Sequence, residues 1–396
     1  MLSTGDVVVA AAATGFSVAC SCASAFNCLV ILFSNMIAFP RVLFRGGKDM
    51  AIIAIFTKNR PLLYALLKLS GRLAIKILCR RIRVNNPALL QQPGPMLLAA
   101  NHPNSFLDSI LLDLLFKSPV WALARGDAFK KKTHARLLRQ LNILPVYRSS
   151  EGVANLTINY QTFDACVALF GQDQIVTIYS EARCVNEWHL RPLKKGTARL
   201  AIQTWEAGIP LTVLPVGLNY SSFRLFGKNV DINFGEPIHA SDIPHESTEG
   251  QRLNAFNQLL QQRMQPLVYE IDKHDKKTRS QKLGVPVGAT EKIGWALPAL
   301  LGWLFHWPLY KPIQQIALHY FGKTGHYDSV VSSLLLLLYP VYLLVMSGLL
   351  WLISDSLVTA LALLGLAPFC AWCYVRTVRP QWSAPPTFHC SRHAEN

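Results

Sequence analysis

Charge is scarce in this chain of 396 residues: Asp, Glu, Lys and Arg together make up 16% of it, against about a quarter of an ordinary soluble chain. With 51% hydrophobic residues and a mean hydropathy of +0.25, that shortage points to a membrane protein. Acidic residues are the scarcer kind, 23 against 39 basic ones. The resulting net charge of +16 implies an anionic partner: a phospholipid surface, a nucleic acid or a phosphorylated substrate. Nucleic acid is set aside, because the basic residues sit at membrane-flanking positions and no binding module is present. The nine cysteines form no paired framework, which excludes a disulfide scaffold and suits reduced thiols facing a cytosol. Cys370 and Cys373 have CxxC spacing inside an apolar run but no second pair, so no metal is expected. There is no Walker glycine loop and no zinc-type histidine pattern, and no internal repeat.

What is present falls into six segments. Residues 1–49 hold an uncharged apolar stretch at 7–35, long enough to span a bilayer. It lacks a basic n-region, which argues against a cleaved secretory signal. A spanning helix, a targeting remnant and a mis-started extension upstream of Met50 all remain open. Residues 50–81 read as a basic amphipathic helix lying on an anionic membrane: Lys68, Arg72, Lys76 and Arg80 recur every four residues, with Leu62, Leu66, Leu69, Leu73 and Ile77 on another face. From 82 to 275, short apolar runs alternate with helical periods. The strands are expected at 82–84, 96–100, 120–124, 143–146, 175–179, 211–218 and 230–234. Such alternation predicts an α/β domain with a largely parallel sheet flanked by helices. A helix at 246–274 closes it. Residues 276–292 read as a basic linker. In the membrane segments at 293–378, the stretch 293–310 is broken by Pro298 and Pro308 and suits a re-entrant or interfacial piece. The runs 330–353 and 357–375 form a C-terminal transmembrane hairpin, followed by a tail at 379–396.

Ligands of parallel sheets sit at the carboxyl ends of strands. The polar residues that follow the expected strands are Asn101 and His102, Arg125 and Gly126, Tyr147 and Arg148, Glu181 and Arg183, and Asn219 and Tyr220. In "NHPNSFLD" a histidine ends a strand and Asp108 heads the next helix. With Pro103, Asn104 and Ser105 forming a turn, the carboxylate can hold one ring nitrogen while the other removes a proton from a hydroxyl. Arg148 after a strand, and Lys194, Lys195 and Gly196 opening a helix, suit a phosphate. The substrate implied carries a hydroxyl and a phosphate. His134, His189 and His306 read as a solvated residue, a border residue and an interfacial anchor, and Trp188 as packing.

Four blocks in order resemble the glycerolipid acyltransferase family: "NHPNSFLD", "ILPVYR", "IYSEARCVNEWHLRPLKKGTARLA" and "LTVLPVGLNY". The likeness covers about 82–240. Five residues separate His102 from Asp108, a spacing similar to the branch of glycerol-3-phosphate and dihydroxyacetone-phosphate acyltransferases. The family pattern of the third block is Phe-Pro-Glu-Gly; here Ser180 stands for the proline and Ala182 for the glycine, where a Cβ opposes positive φ. The resemblance implies His102 as base and Asp108 as its orienting partner. It implies Asn101, Arg148, Glu181, Arg183 and Lys195 as substrate-binding residues. Backbone amides at the start of the 106–116 helix would meet the oxyanion. No cofactor is implied; acyl-CoA or acyl carrier protein is the co-substrate, and glycerol-3-phosphate or lysophosphatidic acid the acceptor. The apolar segments place the chain in a membrane with the domain cytoplasmic, and the lack of a secretion signal with the single-domain layout points to a bacterial inner membrane. A catalytically degenerate lipid-binding protein is the alternative of another class, kept open by Ser180 and Ala182.

Overall fold

The computed structural model describes residues 60–129, 132–146, 153–244, 248–285 and 288–377; the readings of 1–49, of Arg148 and of the tail at 379–396 fall outside these. Helix α1 (Arg60–Leu78) runs directly into strand β1 (Cys79–Val84). Then come β2 (Met96–Ala100), α2 (Phe106–Leu115), β3 (Val120–Arg125), α3 (Lys132–Gln140), β4 (Ile143–Val146), α4 (Val153–Phe170), β5 (Ile175–Tyr179), α5 (Gly196–Glu206), β6 (Thr212–Tyr220), β7 (Lys228–Phe234) and α6 (Glu249–Met264). The strands form one seven-stranded sheet in the order β1-β7-β6-β2-β5-β3-β4. Every neighbouring pair is parallel except β6 with β7. The fold is therefore α/β with a mostly parallel sheet.

Strand β2 lies at the centre, between β5 and β6, and all five of its residues are buried. That is why MLLAA reads as an unbroken apolar run rather than an alternating one. Leu98 and Ala100 pack on one face with Leu107 and Leu111 of α2. Leu97 and Ala99 pack on the other with Leu200 of α5 and Phe256 of α6. Each fully buried Leu or Phe contributes about 1.5–3 kcal/mol. Ala100 stands level with Tyr179 of β5 and Val216 of β6, so these three strands end beside one another.

Helix α1 is amphipathic, and part of its basic side is bonded to the domain. Leu66, Leu69 and Leu73 are exposed, as are Arg72 and Lys76, while Lys68 is buried. The Lys68 ammonium reaches Asp113 and the Ser118 carbonyl, and Arg72 donates to the Leu114 and Phe116 carbonyls. Both cations thus serve the C-terminal end of α2, where the helix dipole is negative. Arg81 and Arg83 belong to β1 and pair with Asp231 of β7. Lys68 and Arg72 thus bond protein, Lys76 is exposed, and Leu66, Leu69 and Leu73 face outward.

The segment expected as a linker begins with a helix, α7 (Lys276–Leu283), because Asp275 caps it by accepting from Thr278 N. Leu283 and Arg279 are buried, the guanidinium 4.3 Å over the Trp188 ring. The prolines of 293–310 do not break the chain either. α8 (Ala289–Phe321) is one helix of 33 residues with Pro298, Pro308 and Pro312 inside it. Each proline removes a backbone bond, and lateral packing holds the helix continuous. His306 bonds the Gly302 carbonyl and Tyr339 of the next helix. α9 (Tyr327–Ser354) and α10 (Leu357–Thr377) are both long and apolar enough to cross a membrane. Residues Tyr327 to Leu334 are buried against the rest of the chain. Residues 335–354, with Leu344, Leu352 and Ile353 exposed, extend roughly 30 Å at 1.5 Å per residue, the thickness of a hydrocarbon core.

Helices α8 and α10 meet at Gly302, where an added Cβ would lie 2.3 Å from the Cys370 carbonyl oxygen. Gly302→Val is expected to destabilise the protein by about 1–3 kcal/mol through overpacking. Thermal unfolding in detergent measures this; an unchanged melting temperature would show that the pair separates freely.

Candidate active site

At the end of β2 the chain turns sharply into α2, and the turn brings His102 back over the first helical turn. His102 Nδ1 lies 2.9 Å from Asp108 Oδ2. The Asp108 side chain has no solvent contact, whereas His102 is 19% exposed. The same Oδ2 accepts from Asn104 N at 2.9 Å, and Oδ1 accepts from the Tyr220 hydroxyl at 2.8 Å. Burial pushes the Asp108 carboxyl upward in pKa, and the bonds from His102, Asn104 and Tyr220 oppose that shift. Tyr179 lies flat against the imidazole, ring centroids 3.8 Å apart at 14°, with its own hydroxyl on Ser109. With Nδ1 on Asp108, Nε2 is the nitrogen left to meet a hydroxyl, which is the geometry of an oriented general base.

Glu181 and Asn101 sit at this place too, but facing the scaffold. Both oxygens of Glu181 are taken by backbone amides, His102 N at 3.1 Å and Arg191 N at 3.0 Å. Burial raises its pKa while those amides lower it. Asn101 pairs twice with Leu218 of β6, donating to its carbonyl and accepting from its amide. These two residues therefore fix the ends of β2, β5 and β6. Arg183 is exposed just after β5, and Lys195 is exposed at the N-terminal end of α5. His189 pairs with Glu187 at 3.1 Å. Trp188 is buried and donates to the Tyr220 carbonyl, so packing is its role.

The amides expected to meet an oxyanion are committed elsewhere. Asn104 N donates to Asp108, Ser105 N to Cys184 Sγ, Leu107 N to Ser329 Oγ and Asp108 N to the Ser105 carbonyl. The two departures in the third block have structural readings. The Ser180 amide donates to the Ala100 carbonyl at 3.0 Å, a bond no proline can make. Ala182 adopts φ 54, and its amide closes a turn onto the Tyr179 carbonyl instead of facing a ligand. Tyr179 and Tyr220 are the functional neighbours that residue patterns understate; each is the last residue of its strand beside β2, and that place is their only signal. Among the described residues no three His, Cys, Asp or Glu side chains gather to hold a metal ion.

His326, the cap of α9, sits 2.6 Å from Ser105 Oγ through Nδ1. Burial, with His102 and Arg125 nearby, lowers its pKa from 6.5 to about 4. Because the folded pKa lies below the unfolded one, stability from this contact is complete above pH 6.5 and is lost as pH falls through about 4. The stability of wild type relative to His326→Leu, measured by thermal unfolding, should therefore fall between pH 7 and pH 4; a constant difference would refute the neutral contact. Ala182→Gly should stabilise the protein by about 0.5–1 kcal/mol by relieving a left-handed alanine, without loss of activity. A destabilised variant would show that the Cβ packs usefully.

Comparison with known proteins bears on this arrangement. The Acyltransferase family model matches residues 81–219, the stretch holding His102, Asp108, Tyr179 and Glu181. A crystal structure titled as the 1-acyl-sn-glycerophosphate (LPA) acyltransferase PlsC from Thermotoga maritima is similar over 62% of this chain and 94% of that one. The two share 15% identity, with a TM-score of 0.39. No curated protein sequence matches. Residues 81–219 thus match the model of the acyltransferase family that the sequence blocks resemble.

Proposed function

We propose that this protein is a membrane-bound O-acyltransferase that moves a fatty acyl group from acyl-CoA or acyl carrier protein to the hydroxyl of glycerol-3-phosphate. The observation that carries the reading is the His102–Asp108 contact of 2.9 Å, with the carboxylate fully buried and the imidazole reaching solvent. His102 Nε2 takes the hydroxyl proton while Asp108 holds the ring and balances its developing charge. The acceptor oxygen attacks the thioester carbonyl, the C–S bond breaks, and the imidazolium returns its proton to the departing thiolate. No covalent acyl-enzyme is required. The exposed Arg183 and Lys195, with Arg148, are the cations for the phosphate.

An apolar cavity of about 820 Å³ supports the lipid side of this reading, a size within the range of ligand sites. Leu107, Ile110 and Leu114 of α2 line one wall, and Ile75, Trp307 and Tyr339 others. Leu107 neighbours Asp108 in the chain, so one face of α2 serves the base while another faces the chamber. We assign this chamber to the acyl chain. We also assign α9 and α10 as a hairpin spanning a bacterial inner membrane, with the sheet on the cytoplasmic side and the outward leucines of α1 dipping into the interface. Lysophosphatidic acid is the second acceptor, since the chamber suits an acceptor with its own acyl chain. The intact His–Asp geometry speaks against a degenerate lipid-binding protein.

The test is acyl transfer by membranes containing the full chain, with labelled acyl-CoA or acyl carrier protein, to glycerol-3-phosphate or lysophosphatidic acid. Transfer to one acceptor is expected, and His102→Ala should lower it by on the order of 10²–10⁴. Folded protein that transfers to neither acceptor from either donor would overturn the assignment.

A further inference from the structure

The turn that carries the base is not self-supporting. Ser105 adopts φ 52 and ψ −141, a region that costs a non-glycine residue about 1–3 kcal/mol and persists only when surroundings enforce it. The surroundings come from more than 220 positions further along the chain. Asn104, fully buried, donates through Nδ2 to Asp328 Oδ2 at 2.6 Å. Its carbonyl accepts from Ser329 Oγ at 2.6 Å, and the same Oγ accepts from Leu107 N at 3.1 Å. Asp328 is itself fixed by the buried ammonium of Lys228 at the start of β7. These contacts touch the turn on both sides of Ser105. They also act on the base directly, because Asn104 N and His102 Nδ1 share one oxygen of Asp108. Wherever Asn104 is held, that oxygen is held.

We propose that the first turn of α9, through Asp328 and Ser329, is a positioning element for the His102–Asp108 pair, so that the membrane hairpin sets the geometry of the base. Five residues separate His102 from Asp108, and the brace grips the middle of that stretch. The role rests on the acyltransfer reading above. Asp328 and Ser329 touch no reacting atom. Their loss is expected to act on turnover through the placement of the imidazole, where an error near 1 Å costs about 10²-fold.

Four variants of the full chain in detergent or nanodiscs separate the brace from the ion pair. Lys228→Met with Asp328→Asn removes both charges but keeps an acceptor for Asn104. Lys228→Met with Asp328→Ala removes the charges and the acceptor. Ser329→Ala removes the hydroxyl, and Ser329→Thr keeps it. The Ala-bearing variants should lose about 10–100-fold in kcat with the acyl-CoA KM unchanged, while the Asn and Thr variants stay near wild type. Hydrogen exchange of the peptide covering 101–112 supplies a readout independent of acyl transfer: it should quicken in the Ala-bearing variants alone. If the double Ala variant fails to fold, Ser329→Ala against Ser329→Thr carries the test. Equal kcat across the four, or a fall in kcat matched by a rise in KM, would overturn the proposal. Unchanged exchange beside an active wild type would overturn the brace alone. A wild type inactive toward every donor and acceptor, with exchange responding as expected, would instead remove the acyltransfer reading on which the role rests.

Discussion

One buried carboxylate organises the working end of this sheet. The Asp108 side chain is shielded from solvent, and leaving an anion there without partners would cost several kcal/mol. It is satisfied by three donors from three places: the imidazole after β2, the amide of Asn104 in the turn, and the phenol at the end of β6. Because all three must arrive together, the strand ends, the turn and the first turn of α2 have one joint solution. Glu181 repeats the device a step away, accepting the His102 and Arg191 amides from the end of β5. The imidazole is thus held by its ring, its backbone and the face of Tyr179.

What the residues disclose in advance follows from how local each signal is. The central strands β2, β5, β6 and β7 show because they are buried on both faces and followed by polar residues. The His–Asp pair shows because its two members are six positions apart with a turn between them. Asn101 and Glu181 are correctly placed at strand ends, but no pattern tells whether an amide or a carboxylate faces substrate or backbone. The periodicity of α1 marks two faces without saying which meets protein. The answer depends on Asp113 and on the carbonyls at the end of α2, neither of them local to the helix. Asp328 and Ser329 carry no signal at all in the chain; at the head of a long apolar run they read as its polar border. The three prolines of α8 read as breaks because the helices packed along it are invisible to a local rule.

The two departures from the family pattern also look different in three dimensions. Serine at 180 restores a backbone donor and extends the bonding between β2 and β5 by one step, with its hydroxyl accepting from Thr197 of α5. Alanine at 182 keeps the left-handed turn that a glycine would adopt at lower cost. Neither change reaches the imidazole.

The Lys228–Asp328 pair has a consequence for the integrity of the molecule. Its ammonium has no solvent exposure, and a buried charge stripped of its partner costs on the order of 3–5 kcal/mol, a large fraction of what holds an ordinary domain together. Cutting the chain between the sheet and the hairpin would leave that cation stranded beneath β7 and release the turn above it. The sheet and helices α9 and α10 are therefore one cooperative unit rather than a domain with a detachable appendage, and proteolysis between them would be expected to unfold the molecule rather than liberate a stable fragment.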